Sequence, residues 1–264
     1  MELTLEEALK GKATRIKNKD YFETKAYLEP FIERMSKFTD DFRINAVLPD
    51  QITKTKTGEI DMDDITFNRM WIQAVLPGEF AFNNHQEVVG MVYGLDVRKP
   101  IVKIYRGGLN MACTNLCIFQ PEELNVQELE PERPIDFSPI KRIMEHTCEM
   151  KAYLERLDNT EFVRDKQSIE RELGRWVNNS IVKSYDNGFG KVKLATSLII
   201  DAYKNLFINE ESDYFIEENT PVSMFTVYNS FTDQICNKDK DIMNKAEKTL
   251  LLKEEIGRAS CRER

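Results

Sequence analysis

The sequence predicts an α+β protein: a mainly antiparallel N-terminal sheet with short helices, packed on a C-terminal helical bundle. Three observations lead there. Between Phe42 and Arg106 the apolar residues recur with period two, as in half-buried strands. From Ser138 onward they recur at helical spacing. The 264 residues, 41% hydrophobic and 31% charged, have an ordinary globular composition and enough length to bury a substantial core.

The elements follow in order. Thr4 and Glu7 form a capping box, so a short helix starts there and Gly11 can end it. Pro30, harmless in a first helical turn, predicts a second helix through "FIERMSKF". "FRINAVL" (Phe42 to Leu48) and "ITFNRMWIQAVL" (Ile65 to Leu76) read as strands joined by a long polar hairpin connection. "EVVGMVYGL" and "PIVKIYR" read as two more strands about a tight "DVRKP" turn, and the basic-Gly-Gly step of "YRGGLNMACTNLCIF" reads as a further turn. "ELNVQELEPERPIDFSP", rich in Pro and Glu, reads as a bridge from sheet to helices. This divides the chain into a sheet half at 1–130 and a helical half at 131–254, within one compact domain.

In the helical half, Ile140, Ile143, Met144, Leu154 and Leu157 form one stripe behind the N-cap Ser138. A longer helix is predicted from Phe162 to Lys183, with Ile169, Leu173, Trp176, Val177, Ser180 and Ile181 inward. "SYDNGFGKVK" breaks it. Helices are expected from Lys191 to Phe207 and from Pro221 to Cys236, followed by a charged one, "DKDIMNKAEKTLLLKE".

The ending "EIGRASCRER" (residues 255–264) resembles a translated sequencing adapter, so the chain is expected to be a metagenomic fragment with an artefactual tail. That tail carries one net positive charge, so the formal −8 of the whole becomes −9 without it. No apolar run reaches bilayer-spanning length and the start lacks signal-peptide order, so a cytoplasmic location is expected. Cys113, Cys117, Cys148 and Cys236 are too scattered for a secreted disulfide framework.

An acidic chain does not coat nucleic acid by bulk charge, but two basic stretches can line a local groove. The first contains Arg15, Lys17 and Lys19, and the second Arg98, Lys103 and Arg106. Tyr105 is the candidate base-stacking aromatic, and Lys191 with Lys193 at a helix start is a further phosphate site.

Metal and catalysis find less support. Cys113 and Cys117 lack the second knuckle of a zinc site, so they read as small core hydrophobes, and no metal or cofactor is expected. His85 and His146 sit in no nucleophile signature. "DNGFGKVK" fails as a phosphate-binding loop: Tyr185 replaces the first Gly and Val192 the magnesium-binding hydroxyl.

The run "IVKIYRGGLNMACTN", a basic strand followed by Cys-Thr-Asn, resembles the recurrent element of the phage and plasmid-like proteins of domain of unknown function 932. "FTVYNSFTDQI" resembles that family's C-terminal Tyr/Phe-Asn-x-x-Thr helix. The matching positions are Arg106, Cys113, Asn115 and Asn229. The resemblance implies a phage or prophage origin and residence inside an infected bacterial host, and it supplies no catalytic residues.

The functional expectation is therefore a phage-encoded, non-catalytic, DNA-associated protein acting in replication, recombination or single-strand handling. The competing expectation is an interaction module that binds a host or phage protein, for example in counter-defence. An enzyme comes third, and would need His85 gathered with Asp61, Asp63 or Asp64.

Overall fold

The computed structural model describes residues 1–16, 18–47, 55, 57–58, 60–78, 84–96, 99–111, 116–118, 121–131, 133–145, 150–163, 171, 174–175, 185–186, 188–217, 220–238 and 242–260. The fold is α+β, with an antiparallel sheet in the N-terminal half and helices toward the C-terminus. The chain forms two compact units interleaved in sequence. The first comprises Met1–Glu79, Glu87–Arg106 and Glu122–His146, and the second Phe80–Gln86, Gly107–Pro121 and Thr147–Arg264. The first helix of the predicted helical half belongs to the sheet unit, whose core contains Ile140 and Ile143.

In the first unit, β1 (Glu2–Leu3) leads into α1 (Leu5–Leu9) through the predicted capping box. Thr4 Oγ1 accepts the Glu7 amide at 3.2 Å while Glu7 Oε2 accepts the Thr4 amide at 2.8 Å. Gly11 serves packing: a Cβ there would collide with Thr24 and Phe67. A small hairpin, β2 (Arg15–Ile16) and β3 (Lys19–Asp20), precedes α2 (Thr24–Met35). That helix starts six residues before Pro30, because Thr24, Tyr27, Leu28, Phe31 and Met35 form a continuous buried stripe. Pro30 lies inside it, and its carbonyl accepts Arg34 Nη1 at 2.8 Å.

The sheet adds β4 (Phe42–Val47), β5 (Arg69–Val75), β6 (His85–Gly94), β7 (Ile101–Asn110) and β9 (Leu124–Glu128). Within this unit its order is β1-β4-β5-β6-β7-β9. Strands β4 and β5 pair antiparallel from Phe42 opposite Ala74 to Val47 opposite Arg69, so the predicted connection between them is indeed a hairpin. Strand β9 was expected as part of a bridge. It pairs with β7 from Ile101 opposite Glu128 to Tyr105 opposite Leu124. Helix α3 (Pro139–Glu145) follows, behind Ser138, whose N–H and O–H both donate to the Asp136 carboxylate.

One sheet face carries Ile44, Met70, Ile72, Val89, Met91, Tyr93, Val102 and Ile104 into a core shared with α2 and α3. Phe67 joins that core, whereas Trp71 lies on the opposite face.

The second unit contains β8 (Leu116–Cys117), α4 (Met150–Asp158), β10 (Glu161–Val163), β11 (Tyr185–Asp186), β12 (Lys191–Val192), α5 (Thr196–Phe207), β13 (Val222–Ser223), α6 (Met224–Asp233) and α7 (Lys245–Ser260). Strand β7 runs straight through Gly107 and Gly108 to pair with β8, so the predicted Gly-Gly turn is corrected to strand. Gly107 is required there because a Cβ would meet the Cys117 carbonyl. Residues 161–163 form a strand with β13 rather than the start of the predicted long helix. Arg171, Gly174 and Arg175 are helical, and that helix's predicted inward residues lie outside the described residues.

"SYDNGFGKVK" makes a hairpin in which Tyr185 opposes Val192, turning through Gly188 at φ 81°. The helix expected from Lys191 therefore begins at Thr196. Helix α6 is capped by Ser223, which accepts the Thr226 amide at 3.3 Å, and continues as a π-helical turn over Gln234–Lys238. The buried amine of Lys245 donates to the Cys236 carbonyl within that turn.

Candidate functional site

Strand β7 carries three of the predicted phosphate or base contacts, and the structure buries all three. Lys103 is 0% exposed, Tyr105 1% and Arg106 9%. Period-two alternation sends Lys103 and Tyr105 to one face of the sheet and Arg106 to the other. The face of Lys103 and Tyr105 is solvated at its β4 margin, where Asn45 and Val47 are exposed, and along β7 it is closed, with Ile101, Lys103 and Tyr105 all buried. Alternation predicted that one of the faces would be wet, and on β7 neither is.

Tyr105 is the centre of a buried polar cluster within the first unit. The Trp71 indole N–H donates to its phenol oxygen, and Gln73 Nε2 donates to the same atom at 3.1 Å. Trp71 and Gln73 lie on β5, two strands from Tyr105, and Gly90 on the intervening β6 opposes Gln73. A Cβ at Gly90 would occupy the position of the Tyr105 ring, so the ring crosses β6 over a residue with no side chain. The two rings meet edge to face at 6.3 Å. A phenol fixed by two donors beneath a closed surface cannot stack on a base, which corrects the expectation for Tyr105.

Arg106 is likewise committed internally. Its Nε pairs with the Glu87 carboxylate, and its Nη1 donates to the Ile143 and Met144 carbonyls at 3.0 and 3.1 Å. Those carbonyls end α3, so the guanidinium supplies the cation favoured at a helix C-terminus and satisfies acceptors that lack intrahelical partners. Its role is to hold α3 on the sheet, not to contact phosphate.

Among the other basic candidates, Arg15 and Lys19 sit on the exposed β2–β3 hairpin, with Arg15 Nε 3.5 Å from Asp20. The neighbouring Lys10 and Lys12 each face a carboxylate, Glu6 at 3.6 Å and Asp64 at 2.8 Å. Lys191 is exposed on strand β12 and Lys193 just after it, so neither occupies the helix N-terminus expected for them. Lys17, Arg98, Cys113, Asn115, His146 and Cys148 lie outside the described residues.

Asn229 is buried in α6, and its backbone carbonyl accepts the Thr232 hydroxyl at 3.1 Å. Cys117 is buried, in keeping with the core reading, and so is Cys236. Cys236 Sγ lies 3.1 Å from the Leu116 amide, which donates to it. Tyr228 beside them has its hydroxyl pushed well above the ordinary range by burial, then by the Cys117 thiol. His85 is buried in β6 with its ring edge-on to Phe225 at 5.8 Å. Among the described residues, no three His, Cys, Asp or Glu side chains are grouped to hold a metal ion, and no helix is long and apolar enough to cross a membrane.

Sequence reasoning missed Trp71, Gln73, Gly90 and Glu87 as a connected set. The available signal was a glycine in the middle of a strand, which marks a close approach by a neighbouring group. No family model, no curated protein and no solved structure matches the chain.

Proposed function

We propose that this chain is a non-catalytic binding protein whose partner is another protein, the alternative its sequence set beside DNA association. The observation that carries this reading is the disposition of the basic residues. The β7 cations are used inside the fold, and Lys10, Lys12 and Arg15 each have a carboxylate within 4 Å. On a chain of formal charge −8, that arrangement leaves little positive field to attract a polyanion. A partner with a basic surface suits it better. The phage or prophage origin, and with it a host or phage factor as the partner, rests on the sequence resemblance alone.

In-cell crosslinking of the full chain, with and without nuclease treatment, tests the reading. Crosslinked protein species that persist after nuclease are expected. Species that vanish with nuclease would favour the second reading, DNA association, for which the exposed Arg15, Lys19, Lys191 and Lys193 on two hairpins speak.

A further inference from the structure

Six large hydrophobic side chains among the described residues are exposed, and the two in the second unit, Ile200 and Ile208, lie on one stripe. Ile200 is 45% exposed and Ile208 62%, the highest of the six. With Ser197 and Lys204 they follow i, i+3, i+7, i+11 spacing along α5 and its C-cap, so they present one outward line. The inward line of the same helix, Leu198, Ile199, Ala202 and Leu206, is buried. Isolated exposed apolar residues need no explanation, whereas a pair aligned over roughly 12 Å of helix surface is an anchor spacing.

What borders this line is acidic. The chain leaving α5 folds back on the end of the helix: the Asn209 amide donates to the Lys204 carbonyl at 2.8 Å and the Ile216 amide to the Leu206 carbonyl at 2.9 Å. Exposed Glu210 and Glu211 follow Ile208 within three residues, and exposed Asp213 and Glu217 lie on the same returning segment. Asp201 lies on the helix, 3.5 Å from Lys204, the one cation of residues 197–217. The C-terminal carbonyls of α5 add partial negative charge at the same end.

We infer that the Ile200–Ile208 stripe and its acidic rim form a docking surface for a basic amphipathic helix of a partner protein. Two leucine-like anchors of that helix cover the isoleucines, and its lysines or arginines meet the rim. This inference rests on the protein-binding reading and names the chemistry of the partner.

The test uses the full chain and a fluorescein-labelled Leu/Lys amphipathic peptide of about 18 residues, five helical turns. Anisotropy titrations are run with wild type, with Ile200→Glu plus Ile208→Glu, and with Glu210→Lys plus Glu211→Lys. Wild type is expected to bind, and each double variant to lose at least about tenfold in affinity with an unchanged melting temperature. Equal binding by all three, or no binding by folded wild type, overturns the inference. So does a concentration-dependent dimer that Ile208→Glu dissolves, since the occupant would then be a second copy. If the peptide fails while nuclease-resistant protein crosslinks persist, the docking surface is wrong and the protein-binding reading stands; if both fail, that reading falls too.

Discussion

The phenol oxygen of Tyr105 accepts the indole N–H of Trp71 from two strands away, and the ring gets there by lying over Gly90. One strand's aromatic is thereby fixed by another strand's donors, which links β5, β6 and β7 more tightly than their backbone ladder alone. Gly90→Ala places a methyl group where the ring sits and is expected to cost about 1–3 kcal/mol by overpacking. Tyr105→Phe leaves two buried donors facing a carbon and is expected to cost about 1–3 kcal/mol. Urea unfolding of the two variants measures both, and Tyr105→Phe at wild-type stability would show that the cluster contributes nothing.

Arg106 gives a second stability prediction. Arg106→Met strips the Ile143 and Met144 carbonyls and the Glu87 carboxylate of their shared donor. The expected loss is about 2–3 kcal/mol, the range for hydrogen bonds to charged groups. Lys19→Glu and Lys191→Glu, on exposed hairpins, are expected to stay within about 0.5 kcal/mol of wild type. Thermal melts of the three variants separate the structural arginine from the surface lysines.

How much of this was legible beforehand depends on the residue. Alternation in "FRINAVL" revealed β4, where buried Ile44 and Ala46 alternate with exposed Asn45 and Val47, whereas "ITFNRMWIQAVL" was legible as a strand although β5 buries residues on both faces. Alternation failed on β7, whose two faces are both closed, so Lys103 read as solvated when it is buried. Gly107-Gly108 read as a turn because glycine usually punctuates; here it admits the Cys117 carbonyl. Pro30 reads as a helix start because that is its commonest helical position, and the stripe beginning at Thr24 outweighs it. The basic candidates were visible as charges, but only coordinates reveal which ones already hold a carboxylate.

Alkaline pH provides a third check. Burial pushes the Tyr27 hydroxyl up to about 12, and it raises Tyr93, Tyr153 and Tyr228 further still. A raised tyrosine pKa means that the unfolded chain releases its proton first. The stability these groups confer is thus complete below pH 10 and declines between the ordinary value of 10 and about 12. Absorbance at 295 nm should show these four of the nine tyrosines silent near pH 10 and ionising only as the protein unfolds. Nine tyrosines titrating together near 10 in folded protein would contradict the burial.

At the acid end the sign reverses. Hydrogen bonds from Thr4 hold the Glu7 carboxyl below its ordinary value, and bonds from Ser138 do the same for Asp136. Their contribution is present above the unfolded carboxyl values and lost as pH falls through the lower folded ones. Glu7→Gln, which takes the titrating carboxyl away, should remove Glu7's part of that slope, read as a smaller drop in melting temperature on acidification than wild type shows.

Central to the proposal is that the buried β7 cations serve the fold and that the chain does not bind nucleic acid. Fluorescence anisotropy of labelled single-stranded and duplex DNA with the full chain, across a salt series, tests it most directly. The account predicts no binding at low salt by folded protein. Binding that weakens steeply with salt and is lost on Lys19→Glu with Lys191→Glu, in a variant that remains folded, would contradict it.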